Sequence, residues 1–212
     1  MAEEMYEKMA ELVIAGKGDE LKALVKHALE QGKGAKEIID MGLLPGMDVV
    51  GKMMKTGEMF IPEVLLSART MQGSLDILKP LLVGDETSSA GAVIIGTVEG
   101  DLHDIGKNLV AMLLEGAGFT VINLGTGIKP EAFVEAVKEH KPDIVGMSAL
   151  LTTTMPKMDE TIQAIKEAGL RDQVKVMVGG APVTEDFAEK IGADGYGANA
   201  AAAVEKAKAL MA

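Results

Sequence analysis

A histidine flanked by two carboxylates is the group in this sequence best suited to chemistry. His103 lies between Asp101 and Asp104 in the polar stretch 97–108, TVEGDLHDIGKN. This stretch follows the β-branched apolar run AVIIG at 92–96 and leads into an amphipathic segment. The succession of apolar run, polar loop and amphipathic run predicts the strand, loop and helix start of a βαβ unit. Because open parallel sheets bind ligands at the carboxyl ends of their strands, His103 lies where a ligand site is expected.

Strand and helix patterns alternate regularly from residue 92 to residue 211. The predicted strands are 92–97, 119–124, 143–148, 174–179 and 193–196, and the predicted helices are 106–116, 130–140, 157–168, 184–191 and 199–211. Alternation at this spacing predicts a parallel sheet with helices on both faces. The five predicted strands favour a flavodoxin-like (Rossmann-like), doubly wound α/β fold of order 2-1-3-4-5, with its switch point between strands one and three.

Two further strand-to-helix loops are expected to converge on this switch point. One loop is rich in hydroxyls, SALLTTT at 148–154, and the other contains Gly179 and Gly180. Hydroxyl groups and bare backbone would therefore surround a cleft with almost no charge. An alternative stays open for the threonines, since Thr154 lies just before Pro156 and could serve only as a helix cap.

The first 83 residues have helical patterns throughout. The predicted helices are Glu3–Ile14, a second with Asp19 as N-cap and Gly32 as stop, a third from Ala35 that Pro45 breaks or kinks, and a fourth from Pro62 to Leu82. Four helices with short connections predict a four-helix bundle. The small, polar stretch 84–91 is typical of a linker, which gives predicted domains at 1–83 and 92–212.

Methionine is abundant in the helical half, and most of these side chains are expected to fill the core. Met53, Met54 and Met59 differ, because they flank the turn at 55–58. A turn bordered by flexible methionine side chains is a candidate for an adaptable lid.

Composition excludes several classes of site and partner. The chain has no cysteine, so disulfides, thiolate metal sites and thiol nucleophiles are excluded. A net charge of −11 argues against nucleic acid, which rewards clustered Lys and Arg. No apolar run approaches the ~18 residues of a membrane span. The acidic, helical start does not have the pattern of a secretion signal, so a cytoplasmic location is expected.

The donor set limits the metal chemistry that His103 can support. A transition metal bound by protein alone needs three or four His, Cys or carboxylate ligands. His27 and His140 lie in predicted helices elsewhere, so His103 can hold only a metal whose equatorial positions a macrocycle already fills. Asp101 would then fix the tautomer of His103 and raise its basicity. The alternative, that His103 is an ordinary solvated surface residue, remains open from composition alone.

Phosphate-binding loops account poorly for the same stretch. No G-x-G-x-x-G follows the first strand. Residues 100–108 approach the pattern G-x-x-x-x-G-K-[ST], but the stretch is one residue too long and ends in Asn.

Three separated motifs carry a family resemblance. The motif DLHDIG at 101–106, followed by Ser148 and Leu150 and then by Gly179-Gly180, resembles the D-x-H-x-x-G, S-x-L and G-G signature of cobalamin-binding domains. In the helical half, GMDVVG and MFIPEV resemble the cap module of cobalamin-dependent methionine synthase. The resemblance covers nearly the whole chain. It implies a free-standing corrinoid protein of a methyltransferase system, of the kind that uses methylamines, methanol, methoxylated aromatics or quaternary amines.

The resemblance also implies roles for individual residues. His103 would be the lower axial ligand of cobalt in place of the cofactor's own benzimidazole, the base-off/His-on state. Asp101 would hydrogen-bond the far ring nitrogen, and Thr154 would continue this relay. Methionine synthases have serine where this chain has Thr154, and an aromatic residue where it has Met54, which makes the predicted cap softer.

The remaining implied contacts concern the corrin ring and its nucleotide tail. The tail would run past hydroxyl and apolar groups and against two glycines, the loop after His103 would complete the lower side, and two cap residues would cover the upper, methyl-bearing face. The residues along the tail would be Ser148, Leu150, Thr152, Gly179 and Gly180. The loop after His103 consists of Asp104, Ile105 and Gly106, and the two cap residues are Met54 and Ile61.

The function that the resemblance implies is that of a methyl carrier. Cob(I)alamin would accept a methyl group from a substrate bound to a partner methyltransferase. Methylcob(III)alamin would present it to a second methyltransferase, which passes it to a thiol or a tetrahydropterin, as in methanogenesis or acetogenesis. A reductive activator is a further expected partner, whereas nucleic acid and membrane are not.

Two alternative functions use the same cobalamin domain. One is a cobalamin-dependent sensor or regulatory module, which usually carries a DNA-binding or signalling segment. The other is the small subunit of a cobalamin-dependent mutase, which lacks a helical cap in front of its cobalamin domain.

Overall fold

The computed structural model describes residues 2–81 and 90–212. These residues form two compact units, one built mainly from helices and the other from a sheet with its helices. The predicted linker 84–91 lies mostly outside the described residues, as does Leu82 at the predicted end of the fourth helix. Within the described residues, no helix combines the length and the apolar character needed to cross a bilayer.

The helical unit contains five α-helical segments among the described residues. They are α1 (Ala2–Ile14), α2 (Gly18–Glu30), α3 (Ala35–Ile38), α4 (Leu44–Thr56) and α5 (Ile61–Leu78). A π-helical turn, Ile39–Leu43, joins α3 to α4 without a break, and a 3-10 turn, Lys79–Leu81, follows α5. Counted as one interrupted helix, α3 and α4 complete the predicted set of four.

Two helix starts differ from the predictions. Lys17, not Asp19, is the N-cap of α2 and makes no side-chain cap, so Asp19 lies within the first turn. A carboxylate there still interacts favourably with the helix dipole. Pro62 is the second residue of α5, and Pro45 lies in the first turn of α4. Pro62 costs no hydrogen bond, because the first turn of α5 has no intrahelical acceptors for its N–H groups, whereas Pro45 directly follows the π-helical turn, where the regular hydrogen-bond pattern is already interrupted.

The prediction that methionine fills the core holds for Met9, Met47 and Met71, which are buried, but not for Met41, which is 57% exposed. Met53, Met54 and Met59 are half-buried. Helix α4 packs very closely on α1, since a Cβ at Gly46 would lie 2.8 Å from the carbonyl oxygen of Ala10.

The second unit is the predicted doubly wound α/β fold. Its strands are β1 (Ala92–Val98), β2 (Thr120–Ile128), β3 (Ile144–Ser148), β4 (Lys175–Gly179) and β5 (Gly195–Gly197). Its helices are α6 (Ile105–Gly116), α7 (Pro130–His140), α8 (Pro156–Glu167), α9 (Glu185–Lys190) and α10 (Ala200–Met211). The strand order is β2-β1-β3-β4-β5 with all pairs parallel, which confirms the prediction.

Burial explains the position of each strand. Strands β1, β3 and β4 are apolar and buried along nearly their whole length, as expected for the centre of a parallel sheet, and Phe133 of α7 packs fully buried beside them. Strand β2 is an edge strand and is only half-buried. It runs to Ile128 rather than to the predicted residue 124, through Gly125 and Gly127 at positive φ. The two glycines shift the register against β1 and carry β2 towards the loop that follows β1.

Candidate functional site

The predicted site residues lie at the carboxyl edge of the sheet. Thr97 of β1 pairs with Ser148 of β3, Ser148 pairs with Gly179 of β4, and Gly179 pairs with Gly197 of β5. The three loops expected to converge therefore leave the sheet side by side. This arrangement follows from strand order alone, because neighbouring parallel strands end at the same edge.

The Asp101 carboxylate is the hydrogen-bonding centre of these loops. Its Oδ1 accepts from the backbone N–H of His103 at 3.1 Å and bonds the His103 Nδ1 at 2.7 Å. Its Oδ2 accepts from the backbone N–H of Leu150 at 2.7 Å and from the Thr154 hydroxyl at 2.8 Å. The side chain is fully buried. One carboxylate thus joins the loop after β1 to the loop after β3.

These bonds determine the charge of Asp101. Burial by itself would raise the pKa of the carboxyl group, but the hydrogen bonds from Leu150, His103 and Thr154 outweigh burial and hold the pKa well below its usual range. An ionised carboxylate can only accept hydrogen bonds. The His103 Nδ1 must therefore carry a proton, which it donates to Asp101.

His103 is positioned by its backbone as well as by its ring. The buried Thr97 hydroxyl donates to the His103 carbonyl oxygen at 2.8 Å. The side chain is 53% exposed, and no residue that the structure describes hydrogen-bonds its Nε2. With the proton on Nδ1, the Nε2 lone pair is free to bind a metal, the arrangement usual for metal-bound histidines.

Thr154 belongs to this network and is not a helix cap. Its buried hydroxyl lies 2.8 Å from the Asp101 Oδ2 and 2.9 Å from the Leu151 carbonyl oxygen, and it has one proton for the two acceptors. The N-cap of α8 is Met155, which makes no side-chain cap. The alternative of a simple cap is therefore wrong, because the loop turns the hydroxyl towards Asp101.

Large apolar side chains are exposed at the loop that carries His103 and in the loop after β3. Leu102 and Ile105 are 79% and 78% exposed, and Leu150 and Leu151 are exposed as well. Within the described part of the α/β unit, the only other exposed large hydrophobic side chain is Met211 at the far end of the chain. Clustered exposed apolar groups mark binding surfaces. We call these four residues (102, 105, 150 and 151) the apolar rim.

The glycines of the site have different structural reasons. A Cβ at Gly106 would meet no atom within 4 Å, so the protein leaves space beside the first turn of α6. A Cβ at Gly179 would lie 2.9 Å from the Gly197 carbonyl oxygen, and one at Gly180, which has φ +134°, would collide with the Ala149 carbonyl oxygen. Packing of the protein's own backbone thus suffices to require glycine at 179 and 180, whereas it does not at 106.

Gly180→Ala is expected to destabilise the protein even without a ligand, by about 3 kcal/mol or more, because the new methyl group forces the loops after β3 and β4 apart. Urea unfolding of the cofactor-free protein measures this loss. Gly169→Ala is the matched control, since Gly169 also has positive φ but open space around it, and it should cost about 1 kcal/mol. An unchanged unfolding midpoint for Gly180→Ala would contradict the clash.

The remaining predicted residues are less constrained by protein contacts. Asp104 accepts a hydrogen bond from the Asn108 side chain at 3.0 Å, and Thr152 is exposed. Met54 is half-buried in α4 and Ile61 is exposed at the start of α5, both within the helical unit. Their contacts with a cofactor stay predictions.

Sequence reasoning missed a polar group beside the site. Lys107 and Asn108 of α6 and Asn123 of β2 hydrogen-bond one another, and the Gly127 N–H donates to the Asp101 carbonyl oxygen at 3.0 Å. Asn is depleted in strands, so Asn123 within the apolar run TVIN was a usable signal. Lys107 gave none, because a lysine near a helix start is ordinarily exposed.

Family models and known proteins are similar to nearly the whole chain. Two models described as B12 binding domain match residues 91–205 and 5–79. Dimethylamine corrinoid protein 1 of Methanosarcina acetivorans is 45% identical over 99% of both chains, and trimethylamine corrinoid protein 1 of the same organism is 47% identical over 91% of both. The methanol:cobalamin methyltransferase complex of Methanosarcina barkeri contains a chain with TM-score 0.88 and 33% identity, covering 98% of this chain and 80% of that one.

A solved cobalamin-binding protein from Desulfitobacterium hafniense matches with TM-score 0.78 and 35% identity over 94% of this chain and 95% of that one. The similarity thus extends over the helical unit as well as the sheet. This chain belongs to the family of cobalamin-binding corrinoid proteins of methyltransferase systems.

Proposed function

We propose that this protein is a methyl carrier that binds its corrinoid through His103 and serves two partner methyltransferases in turn. One observation carries the proposal. The His103 Nδ1 is bonded to a buried, ionised Asp101, while Nε2 has no hydrogen-bond partner among the described residues and lies on a histidine that is 53% exposed. This is a preorganised nitrogen ligand with one free coordinating atom.

The residues present fit a corrinoid. Nε2 would supply a nitrogen ligand, the apolar rim would supply surface for a large, partly apolar ring, and the open space at Gly106 would leave room beside α6. When bound, the corrinoid supplies a cobalt centre that accepts and releases a methyl group. The protein contributes the ligand, its orientation and the exclusion of water.

The residues hydrogen-bonded to His103 and to Asp101 fix the orientation of the His103 ring. Asp101 holds the proton on Nδ1 and fixes the ring orientation. Thr154 and the Leu150 N–H hold the second carboxylate oxygen, so Asp101 cannot rotate away. Ser148, Thr152 and the backbone at Gly179 would line the path of the nucleotide tail.

The relatives support a methylated amine as the methyl donor. Two similar proteins that cover 91% or more of this chain are named for dimethylamine and trimethylamine. We infer that the first partner is a methyltransferase that binds such an amine. The second partner would transfer the methyl group to a thiol or a tetrahydropterin, and a reductive activator would restore oxidised cofactor. Met54 and Ile61 would cover the methyl-bearing face between the two transfers.

Corrinoid binding and axial ligation can be tested together. Wild-type protein reconstituted with hydroxocobalamin and desalted should retain one corrinoid per chain. The EPR spectrum of its cobalt(II) form should show axial nitrogen coupling that changes when histidine is labelled with ¹⁵N. His103→Ala should keep most of the corrinoid but lose this coupling, since ring and tail contacts remain. His140→Ala, at the exposed end of α7, is the matched control and should match wild type. Folded wild-type protein that retains no corrinoid would refute the proposal.

Methyl transfer itself needs a partner. Corrinoid-loaded protein with a dimethylamine- or trimethylamine-specific methyltransferase should become methylated in a reaction that depends on the amine. Failure with each of these partners, despite normal corrinoid loading, would contradict the assignment of a methylated amine as donor.

A further inference from the structure

Lys107 is a buried cation that the proposed function does not use. Its side chain is 3% exposed, and it forms no ion pair within the residues that the structure describes. Burial lowers the pKa of its ammonium group, and the charge of Asp104 opposes this effect. Lysine is almost never buried unless it is paired, because the lost hydration must be replaced. An apolar residue of the same length would fill the volume without that cost.

The hydrogen bonds of Lys107 connect two elements of the fold. Its Nζ donates to the Oδ1 atoms of Asn108 and Asn123, each at 2.6 Å. The Asn123 Nδ2 also donates to the Asn108 Oδ1 at 2.9 Å, and the Gly125 N–H donates to the Asn123 Oδ1 at 3.1 Å. The ammonium group thus lies between the first turns of α6 and the point where β2 shifts register.

This network continues to the residue after His103. The Asn108 Nδ2 donates to the Asp104 Oδ2 at 3.0 Å, and Asp104 is the direct neighbour of His103 in the chain. On the other side of the loop, the Gly127 N–H of β2 donates to the Asp101 carbonyl oxygen at 3.0 Å. Strand β2 therefore holds the loop on both sides of His103, directly at Asp101 and, through Asn108, at Asp104.

We infer that Lys107 is a positioning residue for His103. Lys107 links Asn108 to Asn123 and so holds the His103 loop against β2, and we call this link the clamp. As a role in cobalt ligation, this inference rests on the proposed function. Asp101 sets the orientation of the imidazole ring, while the clamp sets the position of the backbone that carries it. A loop held at both ends keeps Nε2 in place whether or not it is bonded to a metal.

Two variants remove the clamp at different points. Lys107→Met keeps the apolar length of the side chain and removes the charge. In this variant the Asn108 Oδ1 still accepts from the Asn123 Nδ2, and the Asn123 Oδ1 still accepts from the Gly125 N–H. Asn108→Ala cuts the connection to Asp104 and leaves Lys107 bonded to Asn123. Because the two changes differ in chemistry, a folding defect in one variant still leaves the other to decide the question.

Arg171→Met is the matched control. Arg171 is a part-buried cation of the same unit and bonds Asp194, the Gly192 carbonyl oxygen and the Val174 carbonyl oxygen. These partners precede β4 and β5 in the chain and therefore lie at the amino ends of the strands, whereas the His103 loop lies at the carboxyl ends. The control loses a comparable set of charge-assisted bonds without touching the His103 loop.

The first readout is hydrogen exchange in cofactor-free protein. Protection of the Gly127 and His103 amides should fall about tenfold in Lys107→Met and Asn108→Ala, in line with the loss of one charge-assisted hydrogen bond. Arg171→Met should leave these amides as in wild type, even if its global unfolding midpoint falls. Wild-type protection in both clamp variants would overturn the inference.

The second readout is the cobalt(II) EPR spectrum of corrinoid-loaded protein. The ratio of His-on to His-off cobalt should fall about tenfold in both clamp variants, while corrinoid retention and the control remain near wild type. A residue of purely structural importance would lower stability without changing this ratio, and that result would overturn the inference. Wild-type protein that retains no corrinoid would overturn the proposed function, and hydrogen exchange would still support or overturn the clamp.

Discussion

Asp101→Asn should lower the free energy of unfolding of the cofactor-free protein by about 2–4 kcal/mol near neutral pH, one of the largest effects of any near-isosteric change in this chain. Each carboxylate oxygen accepts a backbone N–H, from His103 on one side and from Leu150 on the other. An amide nitrogen in either orientation would therefore face a backbone donor. Because the Asp101 side chain is fully buried, bulk solvent cannot relieve this conflict.

The difference between wild type and Asp101→Asn should depend on pH. The folded-state pKa of Asp101 is depressed, so its ionised form contributes stability that is fully present above the unfolded-state value of about 3.9. That contribution is lost as pH falls from there through the folded-state value. The difference in unfolding free energy between wild type and Asp101→Asn should therefore be constant near neutral pH and should decrease below about pH 4.

Urea unfolding from pH 7 down to pH 3 measures both effects. Glu135→Gln, an exposed carboxylate on α7, is the control and should stay within about 0.5 kcal/mol of wild type throughout. A neutral-pH loss no larger than that of the control, or a gap that widens in acid, would contradict the role assigned to Asp101. In corrinoid-loaded protein, Asp101→Asn should also weaken His103 ligation, because the acceptor that fixes the Nδ1 proton is lost.

Gly106→Phe should reduce corrinoid affinity by about a hundredfold or more without reducing the stability of the cofactor-free protein. In the protein alone, a Cβ at this position meets nothing within 4 Å, and the backbone is not in the left-handed region. The space beside α6 is thus free for a larger side chain. Under the proposed function, that space belongs to the cofactor, so the side chain and the corrinoid compete for it.

Substitutions of increasing size at position 106 test whether the side chain and the corrinoid compete for this space. Gly106→Ala should stabilise the cofactor-free protein by up to ~1 kcal/mol, since alanine favours a helix over glycine. Affinity should fall progressively through alanine, leucine and phenylalanine while the unfolding midpoint does not fall. Equal corrinoid affinity across the series would mean that the space at Gly106 is not part of the cofactor site. Position 106 is a cleaner probe than 179 or 180, where substitution disturbs the protein's own backbone.

Local pattern was sufficient to predict most of the fold. The apolar runs that became β1, β3 and β4 are short, β-branched and separated by helical periodicity, and this alternation favours a parallel sheet covered by helices on both faces. The edge strand was predicted less well. The predicted second strand ends at residue 124, whereas β2 continues through Gly125 and Gly127 with shifted register. Whether a glycine ends a strand or bends it depends on the neighbouring strand, which local sequence does not contain.

The types and spacing of residues determined by themselves which chemistry is available: one histidine between carboxylates after one strand, no cysteine, and small or hydroxylated residues after two further strands. Only the tertiary structure decided how these groups act. It buried Asp101 among four donors, turned Thr154 away from a helix cap, and placed Lys107 between Asn108 and Asn123. Hydrogen bonds between residues tens of positions apart depend on register and loop conformation, which are set by packing of the whole sheet rather than by any local stretch of chain.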